Sequence, residues 1–165
     1  MSKLPITVNS KTKAKWSAIE SAVRIEKEIN DLKFVFIDYV QQCHVHGIQI
    51  KREQIEYITN ACKQMALDMD ITFVICAQLN RNSETEKREP TMADLKDAGG
   101  IEQDSDIILL LWDSVKDGQD KIINLKFGKN RSGSCSTKSI VETDLSINKF
   151  FANEDEATKY RYRRK

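Results

Sequence analysis

Three observations predict an α/β fold: a mainly parallel sheet flanked by helices, finished at its C-terminal end by an antiparallel hairpin. First, Phe34-Val35-Phe36-Ile37 and Thr72-Phe73-Val74-Ile75-Cys76 are unbroken apolar runs, the pattern of strands buried on both faces. Second, from about Arg52 to Met69 the apolar residues Ile55, Ile58, Cys62, Met65 and Met69 recur at helical spacing. Strand, long helix and strand make a βαβ unit, whose crossover is right-handed in nearly all proteins. Third, Lys138 to Thr143 and Ser146 to Phe151 read as two strands joined by a short turn near Asp144-Leu145.

The remaining elements follow in order. Residues 4–8 (LPITV) form a candidate short strand, and Ser10 or Thr12 is placed to cap a helix running to about Ile29. Trp16, Ile19, Ala22 and Val23 share one face of that helix, with Lys and Glu on the other. Residues 43–52 (CHVHGIQIKR) read as a loop. Residues 80–97 are polar and charged, long for a connection inside a domain, and so mark a candidate functional loop. Ile107 to Trp112 reads as a third buried strand and Lys121 to Phe127 as a further one. One domain is expected over 1–152, followed by a basic flexible tail over 153–165.

Composition narrows the class without naming a partner. Hydrophobic residues are 40% and charged residues 31%, ordinary for a soluble globular protein. With 26 basic and 25 acidic residues the net charge is +1, so a nucleic-acid surface has to be local. The four cysteines (Cys43, Cys62, Cys76, Cys135) include no CxxC pair, and two fall in apolar runs, as expected of reduced buried thiols in a cytoplasmic setting. The first residues lack the apolar segment of a signal peptide, and no run approaches a membrane span of about 18 apolar residues. No membrane association is expected.

The chemistry-bearing residues sit at strand ends. Ligands of open α/β sheets gather at the carboxyl ends of the strands. Asp38 closes the FVFI run, where a carboxylate either caps the strand or holds magnesium through water. The TFVIC strand runs on into Gln78-Leu79-Asn80-Arg81, and an amide at Gln78 can orient a water or sense a terminal phosphate if the two strands are neighbours. In GKNRSG, Lys129 and Arg131 lie two apart, which in an extended segment points both toward one anion. The other reading is a solvated basic loop. Cys43, His44 and His46 are too few, and too isolated from any second cluster, to make a metal site. The tail offers Arg161, Arg163, Arg164 and Lys165 to phosphates and Tyr160 and Tyr162 to bases, or else is simply solvated. No nucleophile–base constellation is evident.

FVFIDYVQ, CAQLNR, DLKDAGGIEQDSDIILLL and KNRSG occur in an order and spacing that resembles the DnaB-like replicative helicases, from about Pro5 to Phe151. The resemblance implies a RecA-like ATPase core. It implies that Asp38 is the Walker B aspartate supporting magnesium and that Gln78 links the terminal phosphate to the DNA-side loops. Lys129 and Arg131 match the pair that reaches the nucleotide of a neighbouring subunit, Arg131 being the arginine finger. Lys96, Asp97 and Gly99 fall where the central loop meets single-stranded DNA. Arg52 and Arg81 are further DNA-side candidates, with His44 and Lys51 near the channel.

No GxxxxGK[ST] phosphate loop is present: the nearest match, Gly128 to Gly133, has Ser134 where the lysine belongs. In the resembled family that loop and the catalytic glutamate precede the counterpart of LPITVNS. The expectation is therefore a RecA-like sheet truncated at its N-terminal side, with ATP and magnesium bound only in a site completed by other sequence. Two functions compete, beside a RecA or KaiC-type relative of the same fold, over which residues 94–106 favour the DnaB-like group. One is a component of a hexameric, ATP-dependent helicase, inactive alone and completed by a phosphate-loop-bearing half. The other is a non-enzymatic module that docks on a RecA-like ring. The exposed sheet of a truncated core is expected to drive self-association.

Overall fold

The computed structural model describes residues 5–9, 15–80, 85–86, 88–96, 99–116, 120–135, 138–144, 149–151 and 155–156. Helix α1 spans Trp16–Asn30, strand β1 Phe34–Ile37, helix α2 Lys51–Met69, strand β2 Thr72–Ile75 and the short helix α3 Gly99–Asp104. Strands β3 (Ile107–Lys116), β4 (Asp120–Asn130), β5 (Lys138–Asp144) and β6 (Lys149–Phe150) follow. One-turn 3₁₀ helices occupy Val40–Gln42 and Met92–Asp94. Among the described residues no helix is long and apolar enough to cross a membrane.

The chain divides into two compact units. The first comprises residues 1–78 and 96–104 and holds the βαβ element: β1 and β2 pair in parallel, Phe34 opposite Thr72 through Ile37 opposite Ile75. Helix α2 forms because apolar residues return every three or four positions, and it buries Ile55, Ile58, Thr59, Cys62 and Met65 along one face. Asp70 stops it in the left-handed region at φ 50°, as Asp31 stops α1 at φ 49°. In α1 the expected face is found, with Trp16 and Val23 buried and Ile19 and Ala22 half-buried.

Two strand readings change in this unit. The short strand expected at 4–8 is not formed over residues 5–8, and Leu4 lies outside the described residues. The parallel strands are not buried on both faces: Ile37 is buried but Phe36 is 72% exposed, and Phe34 stacks on it from the same face. The apolar run is read correctly as a strand; its second face has no cover among the described residues of the unit.

The second unit comprises residues 79–95 and 105–165 and is antiparallel, in the order β3-β4-β5-β6. The expected terminal hairpin exists as β5 and β6, with Thr143 opposite Phe150. The antiparallel part is larger than that hairpin, because β3 and β4 also form one, Ile107 opposite Asn130 and Lys116 opposite Asp120. Along β3 Ile108 and Leu110 are buried while Ile107, Leu109 and Leu111 are exposed, so this strand also buries one face. The register shifts between Ile108 and Leu109, leaving Gly128 as the extra residue of β4. A Cβ there would lie 2.6 Å from Met92 Sδ and 3.3 Å from the Leu110 side chain, so the bulge packs against both.

Within the polar segment 80–97, residues 88–96 carry more hydrogen-bonded structure than a long loop implies. Within the second unit Leu79 bridges Leu95, and Asn80 N–H donates to Asp94 O at 2.7 Å. Asp94 is buried and closes a capping box with Thr91. Arg88 donates to both its oxygens, at 2.6 and 2.8 Å.

Candidate functional site

Asp38 directly follows β1, joined to Tyr39 by a cis peptide bond. Hydrogen bonding between the two chain segments continues past the strands: Cys76 N–H donates to Ile37 O at 2.9 Å and Val40 N–H to Cys76 O at 3.0 Å. That continuation carries the ends of β1 and β2 side by side, and between them opens a cleft of about 280 Å³ lined by Asp38, Tyr39, Cys76, Ala77 and Gln78. The carboxylate and the amide predicted to act together thus share one cleft at the carboxyl ends of adjacent parallel strands. Burial, then the Asp38 carboxylate, pushes the Cys76 thiol above its ordinary value. A thiol there is a weak ligand or nucleophile at neutral pH.

Gln78 is fixed through its backbone. Its N–H donates to Gln41 Oε1 at 3.3 Å, and its carbonyl accepts from Lys96 N–H at 3.3 Å. The second bond ties the strand end carrying Gln78 to the segment carrying Lys96, Asp97 and Gly99. Asp97 itself lies outside the described residues, as does Arg81. Arg52 is exposed on the first turns of α2, where its Nε donates to Glu56 at 3.1 Å. An added Cβ at Gly99 would lie 2.8 Å from Glu56 Oε1 and 3.1 Å from Arg52 Nη2, so this predicted DNA-side glycine sits beneath the Arg52–Glu56 pair. Lys51 Nζ donates to Cys43 O at 2.7 Å, and His44 O accepts from Trp16 N–H at 2.8 Å, so the histidine loop is held by its backbone. The tail residues 160–165 lie outside the described residues. Among the described residues no group of three or more His, Cys, Asp or Glu is placed to hold a metal.

Lys129 and Arg131 belong to the second unit. The strand is longer than predicted, so Lys129 lies within β4 while Arg131 opens the following turn. Main-chain pairing reaches one residue further, with Arg131 N–H donating to Asp106 O at 2.9 Å. Asn130 shapes the turn, its Oδ1 accepting from Ser132 N–H at 3.3 Å and its Nδ2 donating to Ser134 O at 3.4 Å. Arg131 pairs with Asp106 at 3.3 Å.

Sequence reasoning missed Gln41 and Asp106, which hold Gln78 and Arg131. Neither carries a motif of its own. Each acts through a partner distant in the chain, which spacing alone does not show.

The profile of the DnaB-like helicase C-terminal domain matches residues 1–151. The chain belongs to that family. It is similar to the probable plasmid replicative DNA helicase of Chlamydia trachomatis, with 30% identity over 144 residues, 87% of this chain and 31% of the relative. To the replicative DNA helicase DnaB of Helicobacter pylori strain J99 it is 36% identical over 91 residues, 54% of this chain and 19% of that protein. Among solved structures, an ATPase domain superposes with a TM-score of 0.75 at 26% identity, covering 86% of this chain and 52% of that one. A DnaB-like replicative helicase studied with primase gives 0.70 at 26% identity, over 78% of this chain and 32% of that one. The fold is thus the α/β fold of the RecA-like helicase ATPase domain. The chain spans about a third of the length of the Chlamydia relative.

Proposed function

We propose that these 165 residues supply the magnesium-side, DNA-side and neighbour-facing parts of a DnaB-like replicative helicase motor. In this reading Asp38 supports magnesium through water, and Gln78 senses the terminal phosphate and passes its state to Lys96 through the main chain. Arg52, Arg81, Lys96, Asp97 and Gly99 face single-stranded DNA, while Lys129 and Arg131 complete the nucleotide site of an adjacent subunit in a ring. The observation that carries it is the placing of Asp38 and Gln78 in one cleft at the ends of paired parallel strands. One carboxylate beside one uncharged amide fits a magnesium ion that keeps its waters, better than a cage of carboxylates would. Bound magnesium would neutralise phosphate charge.

The phosphate cradle is assigned to sequence outside these residues, because they hold no GxxxxGK[ST] motif. That same absence favours a second reading, a non-enzymatic module docking on a RecA-like ring.

The test is ATP hydrolysis with single-stranded DNA, measured for the chain alone and after adding a phosphate-loop-bearing N-terminal portion of a DnaB-like helicase. The motor reading expects turnover only in the mixture, and its loss by roughly 10³-fold or more in Arg131→Ala, the order an arginine finger contributes. Binding to the added portion without turnover would favour the docking module. Turnover by the chain alone would overturn the assignment of the cradle elsewhere.

A further inference from the structure

Arg131 stands one residue beyond β4, at the end of its antiparallel pairing with β3. Two contacts to one residue hold it there. Arg131 N–H donates to Asp106 O at 2.9 Å, and Arg131 Nη1 donates to Asp106 Oδ1 at 3.3 Å. Asp106 immediately precedes β3, whose first residue, Ile107, pairs with Asn130. The same aspartate therefore anchors both the main chain and the guanidinium of Arg131. Both side chains remain open to solvent, 69% for Arg131 and 54% for Asp106.

We propose that Asp106 is a positioning residue that braces Arg131 for contact with a polyphosphate; this rests on the reading of Arg131 as a phosphate-contacting residue. A guanidinium has five N–H donors in a rigid fork, and the contact with Asp106 is made from Nη1 alone. The fork stays available to an incoming anion, while a long side chain that otherwise samples many rotamers is confined before the anion arrives. The carboxylate also carries a charge that opposes an anion. Exposed to water, that repulsion is weak, so ordering outweighs it.

The two effects predict opposite results, which makes the proposal testable on the full 165-residue chain. Inorganic tripolyphosphate is titrated and followed by NMR at the Arg131 side-chain Nε–H and at the amides of 130–134. Relaxation of the same Nε–H is recorded without anion. The brace predicts a saturable shift in the wild type and its loss in Arg131→Ala. Asp106→Ala should weaken binding about two- to fivefold, the range an exposed pair supports, and make the free Arg131 side chain more mobile. Asp106→Asn, which keeps an acceptor but removes the charge, should stay near wild type in both measurements.

Equal or tighter binding in Asp106→Ala, with Arg131 still shifting, overturns the brace alone and makes Asp106 a charge competitor. A wild type in which tripolyphosphate leaves Arg131 unmoved overturns the phosphate-contacting reading, and the brace with it. An Arg131 side chain equally ordered in Asp106→Ala overturns the brace whether or not anion binds.

Discussion

Gly100→Ala and Gly99→Ala separate two reasons for a glycine pair at the start of α3. A Cβ on Gly100 would sit 2.7 Å from Glu56 Cα and 2.8 Å from Thr59 Oγ1, where ordinary contact begins at 3.4 Å. Glu56 Cα is backbone of α2 and cannot swing away, so α3 has to retreat. Retreat stretches the hydrogen bond that Thr59 Oγ1 donates to Asp104 Oδ2 at 2.9 Å and uncovers Ile101, which is buried. Overpacking of this kind costs about 1–3 kcal/mol, and loss of the hydrogen bond adds roughly 0.5–1.5 kcal/mol. Alanine returns up to about 1 kcal/mol of helix propensity. The net loss is about 1–3 kcal/mol of α3 docking.

For Gly99 the close atoms are the ends of the Glu56 and Arg52 side chains, which can move, so Gly99→Ala should stay within about 0.5 kcal/mol of wild type. Amide hydrogen exchange across α3 and the facing turns of α2 reads this local docking without unfolding the chain. Exchange should quicken roughly 5- to 150-fold in Gly100→Ala and change little in Gly99→Ala. Exchange in Gly100→Ala as slow as in the wild type, or slower, would refute the close approach of the two helices.

Other outcomes follow from the same contacts. Arg88 and the Thr91 backbone hold the buried Asp94 carboxyl well below its ordinary value of 3.8. A carboxyl lowered on folding contributes stability that is present above pH 3.8 and is lost as pH falls further. The Asp94 ¹³Cγ resonance should therefore titrate below that pH in the wild type and move upward in Arg88→Ala, and an unmoved midpoint would count against the pairing. The exposed Phe34, Phe36 and Val74 leave an apolar sheet face. Light scattering should show association that Phe36→Ser reduces, and wild-type monomers at high concentration would contradict it. Arg131→Ala should abolish DNA-stimulated ATP turnover in the completed motor and leave urea unfolding within about 0.5 kcal/mol of wild type.

The sequence exposes those features that depend on local pattern. The period of α2 and the two apolar runs determine the βαβ unit, and strand-end logic then finds Asp38 and Gln78 together. What it hides depends on partners far along the chain. An unbroken apolar run says that a strand can be buried on both faces; whether Phe36 is covered depends on what packs there. The pattern of Ile107 to Trp112 does not say that β3 is antiparallel, since its pairing is settled by β4, whose Asn130 and not a near neighbour lies opposite Ile107. Nor does the pattern of Lys121 to Arg131 say where β4 ends, since Asn130 opposite Ile107 and the bond from Arg131 N–H to Asp106 O both depend on β3 and the residue before it.

Arg131 lies one residue past β4, and there Asp106 holds it twice, its main-chain oxygen accepting from Arg131 N–H and its carboxylate from Arg131 Nη1. Gln78 is in the same position: it lies beyond the end of β2 and is held by Gln41 on one side and Lys96 on the other. In both cases the residue expected to meet phosphate lies past the end of a strand and is held there by named contacts. Gln41 and Asp106 support through their side chains and Lys96 through its main-chain N–H, so Gln41→Ala and Asp106→Ala should loosen Gln78 and Arg131 while a substitution at Lys96 leaves its bond to Gln78 in place.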